Sequence, residues 1–187
     1  MVLPKTLLEL IGAVMQPSRL DESALLLIDC QNTYTEGPMR LSGVDQAIEE
    51  IHRLLLHARS AGIPIFHIAH DAGADSLFDV RAASGAIVPK VAPQGDEPTI
   101  IKKYPNSFAM TDLHDRMQKL GVENLIVGGF MTHGCVNSTV RAGSELGYRQ
   151  TVVGSATATR DLPTVHGNVL EASVIQDTRA RGGVGPR

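Results

Sequence analysis

Short apolar runs alternate along this chain with longer segments whose apolar residues recur at helical spacing. The runs fall at 24–28, 63–69, 99–101, 125–129 and 151–154, the first being Ala24-Leu25-Leu26-Leu27-Ile28. A run that is apolar at every position predicts a strand covered on both faces, the kind found in parallel sheets. Between the runs, Val44, Ala47, Ile48, Ile51, Leu54, Leu55 and Ala58 keep the 3/4 spacing of a helix closed by Gly62. Residues 110–120 form a second helical segment, with Thr111 and Asp112 at its start and Gly121 after its end. Residues 136–146 form a third, stopped by Gly147, and 169–179 a weaker last one. An amphipathic opening helix is expected over 4–15. Strands alternating with helices predict an α/β fold: a three-layer, doubly wound, mostly parallel five- or six-stranded sheet, Rossmann-like, with helices on both faces.

A chain of 187 residues with no internal repeat or linker fits one domain spanning 1–187. Residues 1–20 would carry the N-terminal helix, and the Gly-rich 181–187 a frayed tail. A net charge of −3 and only seven aromatic residues argue against a nucleic-acid partner. No apolar run approaches the ~20 residues of a membrane span. Leu7 to Met15 is interrupted by Glu9 and followed by no cleavage site, so no signal peptide is expected. Cys30 and Cys135 cannot make a disulfide framework, which suggests a reducing, cytoplasmic setting.

In open parallel sheets, ligands sit outside the carboxyl ends of the strands. That rule selects Asp29 after the first run, Lys102 and Lys103 after the third, and Cys135 after the fourth. A thiol at a helix N-terminus is expected to have a lowered pKa, and nearby free N–H groups can hold an oxyanion. The alternative for Cys135 is a buried small hydrophobe. Gly128 and Gly129 before it allow tight backbone geometry. A carboxylate near a thiol can take its proton and later deliver it to a leaving amine, a role open to Asp29. Cys30 has the opposite parity to Asp29 and reads as packing. Lys102 and Lys103 point to opposite faces, so at most one enters the site. His67, His70-Asp71 and His114 match no strong zinc motif, and His67 reads as a satisfied core histidine. His133 or His166 could pair with Cys135 in a papain-like way, but no local signature supports it. The long excursion at 71–98 has no sustained period, and such loops are usually functional. No Walker loop or G-x-G-x-x-G is present.

At these residues the chain resembles the isochorismatase-like cysteine hydrolase superfamily, which includes nicotinamidases, N-carbamoyl amide hydrolases and isochorismatases. The resemblance rests on three ordered motifs, Ala24 to Asn32, Ile101 to Phe108 and Gly128 to Val136, and extends over about 22–162. It implies a catalytic set of Asp29, Lys102 and Cys135, with Lys102 chosen over Lys103 because it stands six residues before Phe108. It also implies a cis peptide between Phe130 and Met131, and an oxyanion held by the N–H groups of Met131 and Cys135. Gln31, Tyr34, Tyr104, Phe108, Thr132 and His133 are expected to wall the pocket with the 71–98 loop. The implied reaction is cleavage of the C–N bond of a small amide or N-carbamoyl compound through a thioacyl-enzyme. The alternatives are an isochorismatase-type vinyl-ether hydrolase and a non-catalytic binding module on the same fold. A small-molecule substrate, no cofactor and a homo-oligomer, dimer or tetramer, complete the expectation. Two departures stand out. His70-Asp71-Ala72-Gly73 occupies the place of the nicotinamidases' Asp-x-His cluster, so no metal is expected, and no apolar run supplies a sixth strand near the C-terminus.

Overall fold

The computed structural model describes Leu10, Gly12 and residues 16–179. The opening helix expected over 4–15 and the tail 181–187 lie outside the described residues, apart from Leu10 and Gly12.

Five strands form one parallel sheet: β1 (Ser23–Ile28), β2 (Ile65–His70), β3 (Thr99–Lys102), β4 (Asn124–Phe130) and β5 (Arg149–Ala158). Their spatial order is β3-β2-β1-β4-β5. The chain winds outward from β1 to β3 and then returns to the other side of β1. The winding therefore reverses between β1 and β4, and their carboxyl ends mark the switch point at which such sheets take ligands.

Every residue of β1 is buried, which is why its sequence shows no alternation. Leu25 and Leu27 belong to one core and Ala24, Leu26 and Ile28 to the other. Helix α1 (Val44–Ala61) covers the first face with Val44, Ala47, Ile48, Ile51, Leu55 and Ala58, and ends at Gly62 in the left-handed conformation. Helices α2 (Leu113–Lys119) and α3 (Asn137–Glu145) cover the second, contributing Leu113, Met117 and Val140. The expected helices on both faces of a parallel sheet are thus present.

Two details differ from the expectation. Strand β5 is longer than the predicted 151–154 because its middle departs from β4. Val127 pairs with Val152, but Gly129 already pairs with Thr157. Beyond β5, two short strands, β6 (Leu162–Pro163) and β7 (Val169–Leu170), pair with each other in an antiparallel ribbon and leave the main sheet at five strands. The last helix, α4 (Ala172–Arg179), begins after that ribbon. No helix among the described residues is long and apolar enough to cross a membrane.

The 71–98 loop comes back alongside the segment that follows β1. Asn32 N–H donates to Ala86 O, Thr33 N–H to Ser84 O and Val88 N–H to Cys30 O. His67 is buried within β2, its Nε2 lying 2.9 Å from Glu97, but its Nδ1 has no hydrogen-bond partner among the described residues, so the reading of a satisfied core histidine holds at one nitrogen only.

Candidate active site

Three strand ends bring Asp29, Lys102 and Cys135 together at this switch point. Asp29 follows β1 with φ +50°, a left-handed conformation rare for a residue with a Cβ and of the kind that clusters at functional sites. Its N–H donates to Ile68 O of β2 at 3.0 Å, which fixes the backbone there. Lys102 is the last residue of β3, two strands away, and its long stem crosses the end of β2 to bring Nζ within 2.7 Å of Asp29 Oδ2. Neither side chain touches solvent. Lys103, one residue on, is exposed. The register of β3 alone separates the two lysines, since Ile100 and Lys102 are buried and Thr99 and Ile101 are not.

Cys135 lies in a π-helical turn, Thr132–Val136, between β4 and α3. It is half-buried, and its Sγ accepts a hydrogen bond from Lys102 Nζ at 3.3 Å. The Phe130–Met131 peptide just before this turn is cis. Gly129 has φ +115°, and a Cβ there would stand 2.0 Å from Ile28 O, so β4 reaches β1 this closely only as glycine.

Electrostatically the cluster is a buried ion pair facing a thiol. Burial raises the Asp29 carboxyl above its ordinary value, against the pull of Lys102. Burial, with the negative charge of Asp29 behind it, pushes the Cys135 thiol up to about 12, against the pull of Lys102. That corrects the expectation of a thiolate favoured by a helix terminus. Gly134 interrupts the helical geometry of the turn at φ −102°, ψ −106°, and the facing carboxylate opposes a second negative charge. A thiol raised in this way favours its protonated form, and it stands beside the buried Asp29–Lys102 pair. Cys30 is buried with its thiol pushed up by burial, in keeping with a packing role.

The structure redistributes the expected pocket residues. Gln31 is fully buried and spends its amide on the backbone, with Nε2 donating to His70 O at 2.9 Å and Gly85 O at 2.7 Å. Its Oε1 accepts from His70 N–H at 2.9 Å. Thr132 is also buried, its Oγ1 donating to Ala158 O and meeting Gln176 Oε1 at 2.7 Å. Phe108 stacks on Tyr148 at 5.6 Å and packs against the core under α2 and α3. Gln31 and Thr132 thus fix backbone, while Phe108 is half-buried and lines a cavity with Asn106, His114 and Leu146. Tyr34 is buried as well, its ring meeting Phe130 and Phe78 edge-on at 5.8 and 5.4 Å, and burial raises its phenol. Tyr104 is exposed, and His133 Nδ1 stands 2.5 Å from Thr159 Oγ1.

Two residues at the site went unselected in the sequence. His70 is the last residue of β2, the strand between those that carry Asp29 and Lys102, and the strand-end rule is the signal that marks it. Gln176 on α4 donates from Nε2 to Gly154 O and Thr157 Oγ1 while meeting Thr132, tying the last helix to the turn that carries Cys135. No local pattern marks it. Among the described residues no group of three His, Cys, Asp or Glu side chains could hold a metal ion.

The architecture is that of a doubly wound α/β enzyme with its polar residues gathered at the switch point. Residues 23–175 match the isochorismatase domain, and the chain belongs to the isochorismatase family, whose members are hydrolases. The crystal structure of an isochorismatase from Pseudomonas putida KT2440 superposes with a TM-score of 0.89 at 41% identity, covering 94% of this chain and 90% of that one. The uncharacterized isochorismatase family protein YddQ of Bacillus subtilis is 39% identical over 75% of this chain and 79% of its own. The secreted isochorismatase effector Isc1 of Verticillium dahliae is 31% identical over 83% of each. Amidohydrolases also stand among the relatives: the maleamate amidohydrolase of Pseudomonas putida is 28% identical over 79% of this chain and 78% of its own.

Proposed function

We propose that this protein is a cysteine hydrolase that cleaves the C–N bond of a small amide or N-carbamoyl compound. The observation that carries the reading is the placement of one buried ammonium, Lys102 Nζ, 2.7 Å from Asp29 and 3.3 Å from the Cys135 sulfur. As Sγ attacks the carbonyl carbon, the thiol proton passes to Asp29, whose basicity burial raises. Lys102 offsets the negative charge that moves between carboxylate and sulfur. The N–H groups of Met131 and Cys135 receive the oxyanion. Asp29 then gives the proton to the leaving nitrogen as the C–N bond breaks, leaving a thioester. Water cleaves that ester, Asp29 taking its proton and returning one to sulfur. The kinship with an amidohydrolase supports this chemistry.

The test is an ammonia-release screen of small primary amides and N-carbamoyl compounds, with intact-mass detection of an acyl adduct on Cys135. Release abolished by Cys135→Ala, together with an adduct on the wild type, is the expected result. Hydrolysis of a vinyl ether that survives Cys135→Ala would overturn the reading, as would the absence of turnover on every amide offered.

A further inference from the structure

An ammonium has three N–H donors and no acceptor, and burying it requires a partner for each. Lys102 is 1% exposed. Asp29 Oδ2 stands 2.7 Å from Nζ as an ion pair, and Nζ donates to Cys135 Sγ at 3.3 Å. Another acceptor, His70 Nδ1, lies 3.4 Å from Nζ. His70 and Lys102 are register partners on neighbouring strands, so their side chains leave the sheet on the same side.

The ring is well held. Gln31 clamps the His70 backbone from both sides, accepting from its N–H and donating to its carbonyl. Phe78 meets the imidazole edge-on at 5.3 Å. The charged groups that bear on the ring are Lys102 from β3, Asp29 from the end of β1 and Asp71 beside it in the chain. Gln31 thus fixes the backbone of the residue whose ring reaches the Lys102 ammonium.

We propose that His70 is a positioning residue: a neutral imidazole with its proton on Nε2, it accepts a hydrogen of the Lys102 ammonium through Nδ1 and holds that ammonium beside Asp29 and Cys135. The proposal rests on the reading of Lys102 as the cation that serves Cys135. The alternative states of the ring are incompatible with the contact, since a proton on Nδ1 would set N–H against N–H. Burial and then the Lys102 charge both lower the imidazole's pKa, which favours the neutral form.

The test combines the wild-type protein with three variants. Nitrogen-15 spectra of the imidazoles, with His70 assigned by its loss in His70→Asn, should show a neutral Nε2–H ring at neutral pH. An Nδ1–H tautomer or a doubly protonated ring would overturn the proposal. Iodoacetamide alkylation of Cys135, read by peptide mapping apart from Cys30, is the second measurement and needs no substrate. The Asn amide oxygen can stand where Nδ1 stands, so His70→Asn should alkylate near the wild-type rate. His70→Gln and His70→Leu should be slower by about tenfold, the scale of a lost hydrogen bond to a charged group. Equal rates in all four proteins would overturn the proposal. The expected spectra and rates, with no amide hydrolysed in the screen, would instead support His70 and refute the amidase reading.

Discussion

Asp29 and Lys102 form a fully buried ion pair, 2.7 Å from Oδ2 to Nζ, across two strands of the sheet. Removing one member leaves the other charge without its partner in a medium that cannot solvate it. Lys102→Met should therefore cost about 3 kcal/mol of stability, measured by urea denaturation. It should also lower turnover by about a hundredfold or more. Lys103→Ala changes an exposed side chain and should stay within about 0.5 kcal/mol of wild type. Equal losses from the two would mean that the register of β3 is not the one described.

The two cysteines should separate cleanly. Cys135→Ala deletes the atom proposed to attack and little volume, so turnover should fall about 10⁴-fold or more with the thermal midpoint nearly unchanged. Cys30→Ala opens a small gap in a closed core and should cost about 1 kcal/mol while leaving turnover near wild type. Activity in Cys135→Ala within about tenfold of wild type would exclude a covalent mechanism.

Far from the site, Arg59 of α1 holds Glu97 through Nε–Oε1 at 2.7 Å and Nη2–Oε2 at 2.9 Å. Burial raises the Glu97 carboxyl, but Arg59, the Gln94 N–H and His67 outweigh it and bring it from an ordinary 4.5 down to about 2. A carboxylate depressed in the folded state contributes stability in full above its unfolded pKa and loses it as pH falls through the folded one. Glu97→Gln should thus be less stable than wild type at neutral pH. The gap should close between pH 4.5 and about 2, measured as urea midpoints across that window. A gap that widens toward acid would contradict the assignment.

Gly129→Ala should be among the most damaging single changes. It puts a Cβ 2.0 Å from Ile28 O at a φ of +115°, and neither backbone can move without breaking the β1–β4 ladder. We expect a loss of about 4 kcal/mol or no soluble protein at all, read from expression and thermal melts. Gly147→Ala is the control: it has φ +91° but open space around it, and should cost less.

Much of this molecule was written in local pattern. The unbroken apolar run of β1 required cover on both faces, and α1 supplied one layer and α2 with α3 the other. The strand-end rule then placed Asp29, Lys102 and Cys135 at a common edge, because a parallel sheet brings all its carboxyl ends together. Parity along β3 required that only one lysine enter, although it could not say which.

Only the tertiary structure decided what each polar side chain does once there. Gln31 bonds to residues 39 and 54 positions away, Thr132 to a helix 44 positions on, and His70 to a lysine 32 positions away. None of those separations has a period, so no window of sequence contains both partners. The thiol's state belongs to the same class. A helix terminus beside Cys135 predicted a lowered pKa, but burial and the charge of Asp29, brought across the sheet from 106 positions earlier, push it up to about 12. Periodicity records which face of an element is covered. What covers it, and at what charge, is fixed when distant segments pack.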